Sequence, residues 1–207
     1  MALSDLTFKL YNDTALTSAF NGTLSVTHET DLSDGTQDFV LYLGSATASR
    51  RLQANSNPGV DNITLTPTDA ITDWTAATAY VVGKYIEPTT PNGLKYKCTT
   101  AGTSHASTEP TWPTTGIGST VADGTAVWTL LGARHATTEI KLATTNGGLA
   151  GATAGAALSI GTSLTSLTAN RQDVHIRITN AVATVNNNTG QHEIAININE
   201  VLESEVI

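Results

Sequence analysis

Aromatic side chains carry the one concentrated recognition chemistry in this 207-residue chain. Trp74, Trp112 and Trp128, with Tyr80, Tyr85 and Tyr96, all fall between Ile71 and Gly132. That stretch also holds Pro88, Pro91, Pro110 and Pro113, four of the six prolines, and the single cysteine, Cys98. An aromatic ring lying flat to solvent binds a sugar through C–H contacts and shape. The same rings turned inward would form the core of a small module that has few other large apolar groups. Trp74, Tyr80 and Trp128 fit the core role better. Trp112, set between Pro110 and Pro113 in a polar loop, is the best placed to present a ring, and Tyr85 is next. Trp74 and Tyr96 complete the set of candidate glycan-binding residues.

No catalytic set accompanies these rings. His28, His105, His135, His175 and His192 are scattered, and no two stand at the spacing of a metal-binding pair. Cys98 has no cysteine partner and reads as a packed, inert thiol. No Gly-x-Ser-x-Gly elbow occurs. Gly116-Ile117-Gly118 lacks the third glycine and the strand-to-helix setting of a dinucleotide loop. Asp31, Asp34 and Asp38 around Gly35 lack oxygen ligands at the positions a calcium loop requires, so a turn is the default there. The expectation is a protein without enzymatic activity, cofactor or metal.

Composition narrows the partners. The formal net charge is −8, with ten Lys and Arg in all, and the densest basic point is the dipeptide Arg50-Arg51. Phosphate binding needs a concentrated basic patch, which argues against nucleic acid. No apolar run reaches membrane-spanning length, and the first residues lack the basic and apolar regions of a signal peptide. A single cysteine allows no internal disulfide, which is consistent with assembly in a reducing cytoplasm. Charged residues make up 14 % of the chain, against about a quarter in ordinary soluble domains. Thr, Ser and Asn must then build much of the polar surface, as they do where proteins pack on one another and also on Thr-rich β surfaces.

The elements that must position the aromatic stretch are strands. Leu6, Phe8 and Leu10 alternate with Thr7 and Lys9; Leu24 and Val26 alternate with Thr23, Ser25 and Thr27. Phe39, Leu41 and Leu43 face one way and Val40 and Tyr42 the other, as in a central strand covered on both faces. Ile63 and Leu65 follow the Asn57-Pro58-Gly59 turn signal. Further candidates are Ile140 with Leu142, Leu158 with Ile160, Val174-Ile176-Ile178 and Ile194-Ile196-Ile198. Asn186 to Gly190 suits a hairpin connection. The Ala-rich run 148–157 is broken by glycine and allows at most one short helical turn. Such short strands with turn signals indicate an all-β fold, an immunoglobulin-like β-sandwich formed by residues 1–70 and 133–207 and interrupted by a small aromatic-rich β module at 71–132. Within the module, Asn92-Gly93 and Asp123-Gly124 are hairpin signals, and Leu94, Tyr96 and Cys98 alternate with Lys95, Lys97 and Thr99. The tail from Glu200 carries Val201, Leu202, Val206 and Ile207, which either seal the sandwich core or dock on a neighbouring subunit.

The order Trp74, Tyr80, Gly83 and Ile86, followed by Asn92-Gly93-Leu94-Lys95-Tyr96, resembles the small aromatic modules of the chitin-binding type. Its extension through Glu109-Pro110-Thr111-Trp112-Pro113 and Asp123-Gly124 to Trp128 is similar to the version found in bacteriophage tail and virion proteins. The resemblance covers about 60 residues. Chitin-binding members carry a denser aromatic cluster where this chain has Lys97, Cys98 and Thr99. The segments 38–45 and 155–162 are similar, more loosely, to immunoglobulin-like sandwiches on phage heads and tails. These resemblances imply a structural virion protein at the virion surface, assembled in the host bacterial cytoplasm. The reading favoured is a capsid decoration (cement) protein, with the major capsid protein or another virion protein as partner and a homo-oligomeric state. The alternative is a tail or baseplate adhesin that recognises host surface polysaccharide through the module. A secreted bacterial carbohydrate-binding protein is a third, disfavoured by the absent signal peptide.

Overall fold

The computed structural model describes residues 6–20, 22, 24, 35–180 and 193–206. It is all-β, with several antiparallel sheets consistent with a β-sandwich. The helical segments among the described residues are three-residue 3-10 turns at Thr137–Glu139, Gly147–Leu149 and Thr168–Asn170. The second of these overlaps the start of the Ala-rich run, where the sequence allows at most one short turn. Its Leu149 is fully buried, which explains why glycine-broken sequence holds a turn there. No helix of the described residues is long and apolar enough to cross a membrane.

The strands are β1 (Lys9–Tyr11), β2 (Gly35–Gly44), β3 (Arg50–Ala54), β4 (Thr64–Asp69), β5 (Thr72–Asp73), β6 (Ala79–Tyr80), β7 (Tyr85–Glu87), β8 (Leu94–Thr100) and β9 (Gly102–Thr103). They continue with β10 (Thr120–Asp123), β11 (Ala126–Ala133), β12 (Ile140–Ala143), β13 (Leu158–Ser159), β14 (Ser163–Thr165), β15 (Gln172–Asn180), β16 (Ile194–Ile198) and β17 (Val201–Glu205). Two compact units result. Among the described residues, the first comprises those up to 68 with 137–180 and 195–206, and the second comprises 69–136 with 193 and 194. The second unit therefore starts two residues before the composition change at Ile71, runs four past Gly132, and includes Glu193, which local composition does not signal.

The first unit contains a four-stranded sheet, β1-β2-β15-β12, and two three-stranded sheets, β13-β4-β16 and β14-β3-β17. Leu43, Leu52 and Leu65, one from each sheet, line a common apolar cavity of about 150 Å³, so the sheets bury their faces against each other. The core includes Phe8, Leu41, Ile63, Leu142, Val174 and Ile176, as period-2 alternation requires. Val40 departs from expectation. It is 36 % exposed, so β2 is central in its sheet but open on one face, where Arg171 lies 5.3 Å over the Tyr42 ring. The tail forms β17 against β3. There Glu203, not an apolar residue, points inward, and it accepts from the Thr7 N–H at 2.7 Å and the Thr7 hydroxyl at 2.5 Å. A buried carboxylate is tolerated because those donors replace water. The strand expected around Leu24 and Val26, the Asn186–Gly190 connection, Asp31, Asp34 and Ile207 lie outside the described residues, Leu24 itself excepted.

The second unit is a five-stranded sheet, β10-β11-β8-β7-β5, with a two-stranded β6-β9 pair beside it in the order of the chain. The Asp123-Gly124 signal makes the β10–β11 hairpin, in which Asp123 pairs with Ala126. Gly124 has φ of +60°, and a Cβ there would meet the Thr103 carbonyl oxygen at 2.3 Å. Glycine is thus demanded twice, by conformation and by space. Asn92 and Gly93 end a longer connection between β7 and β8, with the Leu94 N–H donating to Asn92 Oδ1 at 3.0 Å.

Candidate carbohydrate-facing surface

One face of the five-stranded sheet carries the core of the second unit. Trp74, Tyr80, Ile86, Tyr96, Cys98, Trp128 and Leu130 are buried together, with Trp112 packed half-buried against them. Tyr80 meets Trp128 edge-on at 4.7 Å between centroids, the T-shaped geometry that ring quadrupoles favour. Burial in this cluster pushes the Cys98 thiol pKa up, as an inert, packed cysteine requires.

Two of the candidate rings are removed from solvent by this packing. Tyr96 is 0 % exposed, and Trp74 is buried beside it. Neither has a face to offer a sugar, because each fills the interior that a small module must otherwise lack. Their polar atoms are committed too. The Tyr96 hydroxyl donates to the Pro113 carbonyl at 3.0 Å and accepts from the Asn92 amide at 3.0 Å. The Trp74 indole N–H donates to Asp123 at 2.7 Å.

Trp112 is an intermediate case. Its ring packs on Tyr96 at 4.5 Å, the planes tilted by 40°, and approaches Trp128 at 6.0 Å. Its N–H donates to Glu109 at 2.8 Å, and Glu109 also accepts from the Thr89 N–H at 3.0 Å. The flanking prolines therefore set the ring down as a cover on the aromatic core, leaving part of it exposed.

Tyr85 lies on the opposite face. Ile86 and Tyr96 are paired and both buried, as are Cys98 and Trp128. Strand alternation then turns Tyr85, Lys97 and Thr129 outward. Tyr85 pairs with Lys97, Lys97 with Thr129, and Thr129 with Thr120. Lys97 Nζ stands 5.7 Å from the Tyr85 ring centroid. The Thr99 and Thr129 hydroxyls are bonded at 2.9 Å. Further along this face the charges neutralise one another: Lys95 pairs with Glu193, and Arg134 with Glu87 and Asp69. Burial works to lower the Arg134 pKa, but the hydrogen bonds it donates to Glu87 and Asp69 outweigh it and hold it above its ordinary value.

The structure thus separates the four candidate rings: two in the core, one covering it, and one on the outer face. Sequence reasoning missed Lys97, Thr129 and Asp123 as positioned groups. The alternation of Lys95, Lys97 and Thr99 signals an outer face, but the register that sets Lys97 beside Tyr85 is a property of the folded sheet. Comparison with family models, curated proteins and solved structures finds no match to this chain.

Proposed function

We propose that the protein is a structural subunit of a bacteriophage particle, a capsid decoration protein whose sandwich unit holds a neighbouring virion protein while the aromatic unit is displayed. The observation that carries this reading is an open apolar seam on the sandwich unit. Leu6 is 48 % and Ile198 38 % exposed, and both line the 150 Å³ cavity together with Leu10, Ile196 and Val201. Exposed apolar side chains gathered at one place favour contact with another protein. Cement proteins act by spanning neighbouring subunits, so that buried contact area supplies the stabilisation. The low charge density suits such packing, and partners would be the major capsid protein and further copies of this chain.

The test is assembly of particles without the protein. Such particles should keep their tails and lose heat or osmotic resistance, and Leu6→Asp with Ile198→Asp should release the protein from the head. A second reading, a tail or baseplate adhesin, is favoured by the outward-facing Tyr85 and Lys97. Labelling confined to the tail tip, with heads unchanged by loss of the protein, would replace the first reading with the second.

A further inference from the structure

We propose that the outer face of the second unit's sheet binds an acidic polysaccharide, with Tyr85 as the platform for a sugar ring and Lys97 as the partner of its carboxylate. This deepens the glycan reading of the aromatic unit and is independent of whether the sandwich unit decorates a capsid.

Four cross-strand neighbours, Tyr85, Lys97, Thr129 and Thr120, form a row on one face across β7, β8, β11 and β10. Strands stand about 4.8 Å apart, so the row is about 14 Å long, the reach of a short oligosaccharide. Its chemistry is one phenol ring, one ammonium and two hydroxyls, with the Thr99 hydroxyl bonded alongside. A sugar needs an apolar face to stack on and hydroxyls to exchange for water, and both are here. Lys97 decides the class. Lys95 and Arg134 on this face are matched by carboxylates, whereas Lys97 has no acidic partner among the described residues and instead lies over the Tyr85 ring, both side chains being half-buried. A uronate stacked on that ring would bring its carboxylate to the ammonium, forming a charge-assisted hydrogen bond that a neutral sugar cannot form. One such site binds weakly, and repetition on a polymer or a particle multiplies it.

The experiment is affinity electrophoresis of the purified full chain in gels containing polygalacturonate, dextran or single-stranded DNA. Polygalacturonate should retard the protein and dextran should not. Lys97→Met keeps the stem and removes the charge, and should weaken the dissociation constant at least fivefold; Lys97→Arg should restore it. Tyr85→Ala should abolish retardation and Tyr85→Phe should retain it, each variant being checked by its melting temperature. Should Tyr85→Ala fail to fold, the Lys97 pair still decides. Equal retardation by dextran, undiminished binding by Lys97→Met, retardation by DNA in place of polygalacturonate, or no retardation by polygalacturonate would each overturn the proposal. None of these results bears on particles lacking the protein, so this site and the cement role fail separately.

Discussion

The indole N–H of Trp74 donates to Asp123 Oδ2 at 2.7 Å, across 49 positions of sequence. Trp128 donates to the same oxygen at 3.0 Å, and the His105 backbone N–H donates to Oδ1 at 2.7 Å. One buried carboxylate therefore satisfies two indole donors that would otherwise be stranded in an aromatic core, and a third, half-buried donor from the backbone.

Asp123→Ala should strip all three donors at once. Each buried unsatisfied group costs about 1–3 kcal/mol, so stranding the two indole N–H groups should cost the second unit about 2 kcal/mol or more. Asp123→Asn should fall between, since its amide NH₂ would face one N–H with another donor. Urea denaturation followed by calorimetry checks the order, and equal stability of Asp123→Ala and the parent would contradict it.

Trp112→Ala should lower stability by about 2 kcal/mol, less than the roughly 3–5 kcal/mol of a fully buried ring. Trp112→Phe should recover most of this by keeping the ring contact with Tyr96 while losing the bond to Glu109. An unchanged melting temperature for Trp112→Ala would mean that the ring covers nothing.

Lys95 and Glu193 are both buried, and Glu193 also accepts from the His135 N–H at 2.6 Å. Lys95→Met should cost about 3–5 kcal/mol by leaving the carboxylate without its cation. Adding Glu193→Gln keeps an acceptor for His135 and removes the second charge, so the double variant should regain most of the loss. Thermal unfolding measures both, and a double variant no better than the single would place the cost elsewhere.

Acid should weaken the first unit. The Ser18 backbone N–H, at 2.6 Å, and those of Thr17 and Ala15 hold the Asp13 carboxyl below its ordinary 3.8. Hydrogen bonds from Arg177, both at 2.7 Å, do the same for Asp38. Both folded values lie below the unfolded ones, so the stabilisation is in place above about pH 4 and is lost as pH falls through the lowered values. Asp13→Asn and Asp38→Asn should each flatten the acid limb of melting temperature against pH. A melting temperature that rises on acidification below about pH 4 would contradict this assignment.

Replacing residues 72–132 by a short Gly/Ser linker should leave the first unit folded. Asp69 and Arg134, on either side of the replaced segment, are joined as an ion pair, so a linker has little distance to span. Loss of the β circular-dichroism signal would show that the sandwich depends on the segment.

Much of the β character is legible in the sequence because alternation is local: Leu142 and Ile176 are buried where period two puts them. Gly124 is legible for the same reason, since a two-residue turn announces itself. Features set by distant pairing are not. Nothing near Glu193 predicts its union with Lys95, and nothing near Asp123 predicts two indoles on one oxygen. Whether a ring is a core member or a platform depends on which face of the sheet it takes, so Tyr85 and Tyr96 look alike in sequence and lie on opposite sides of the fold. Val40 is open for a related reason: a strand can be central in its sheet without having a second layer above it.

The placement of the indoles divides the chain optically as well. Trp74, Trp112 and Trp128 all belong to one unit, while the other has Tyr11 and Tyr42 and no tryptophan. Emission excited at the red edge of indole absorption therefore reports the opening of the aromatic unit alone. A carboxylate fixed on two of the three indole nitrogens makes that signal sensitive to the same contact that holds the unit closed, so fluorescence follows this unit while amide circular dichroism, recorded on the same unmodified sample, follows the strands of both.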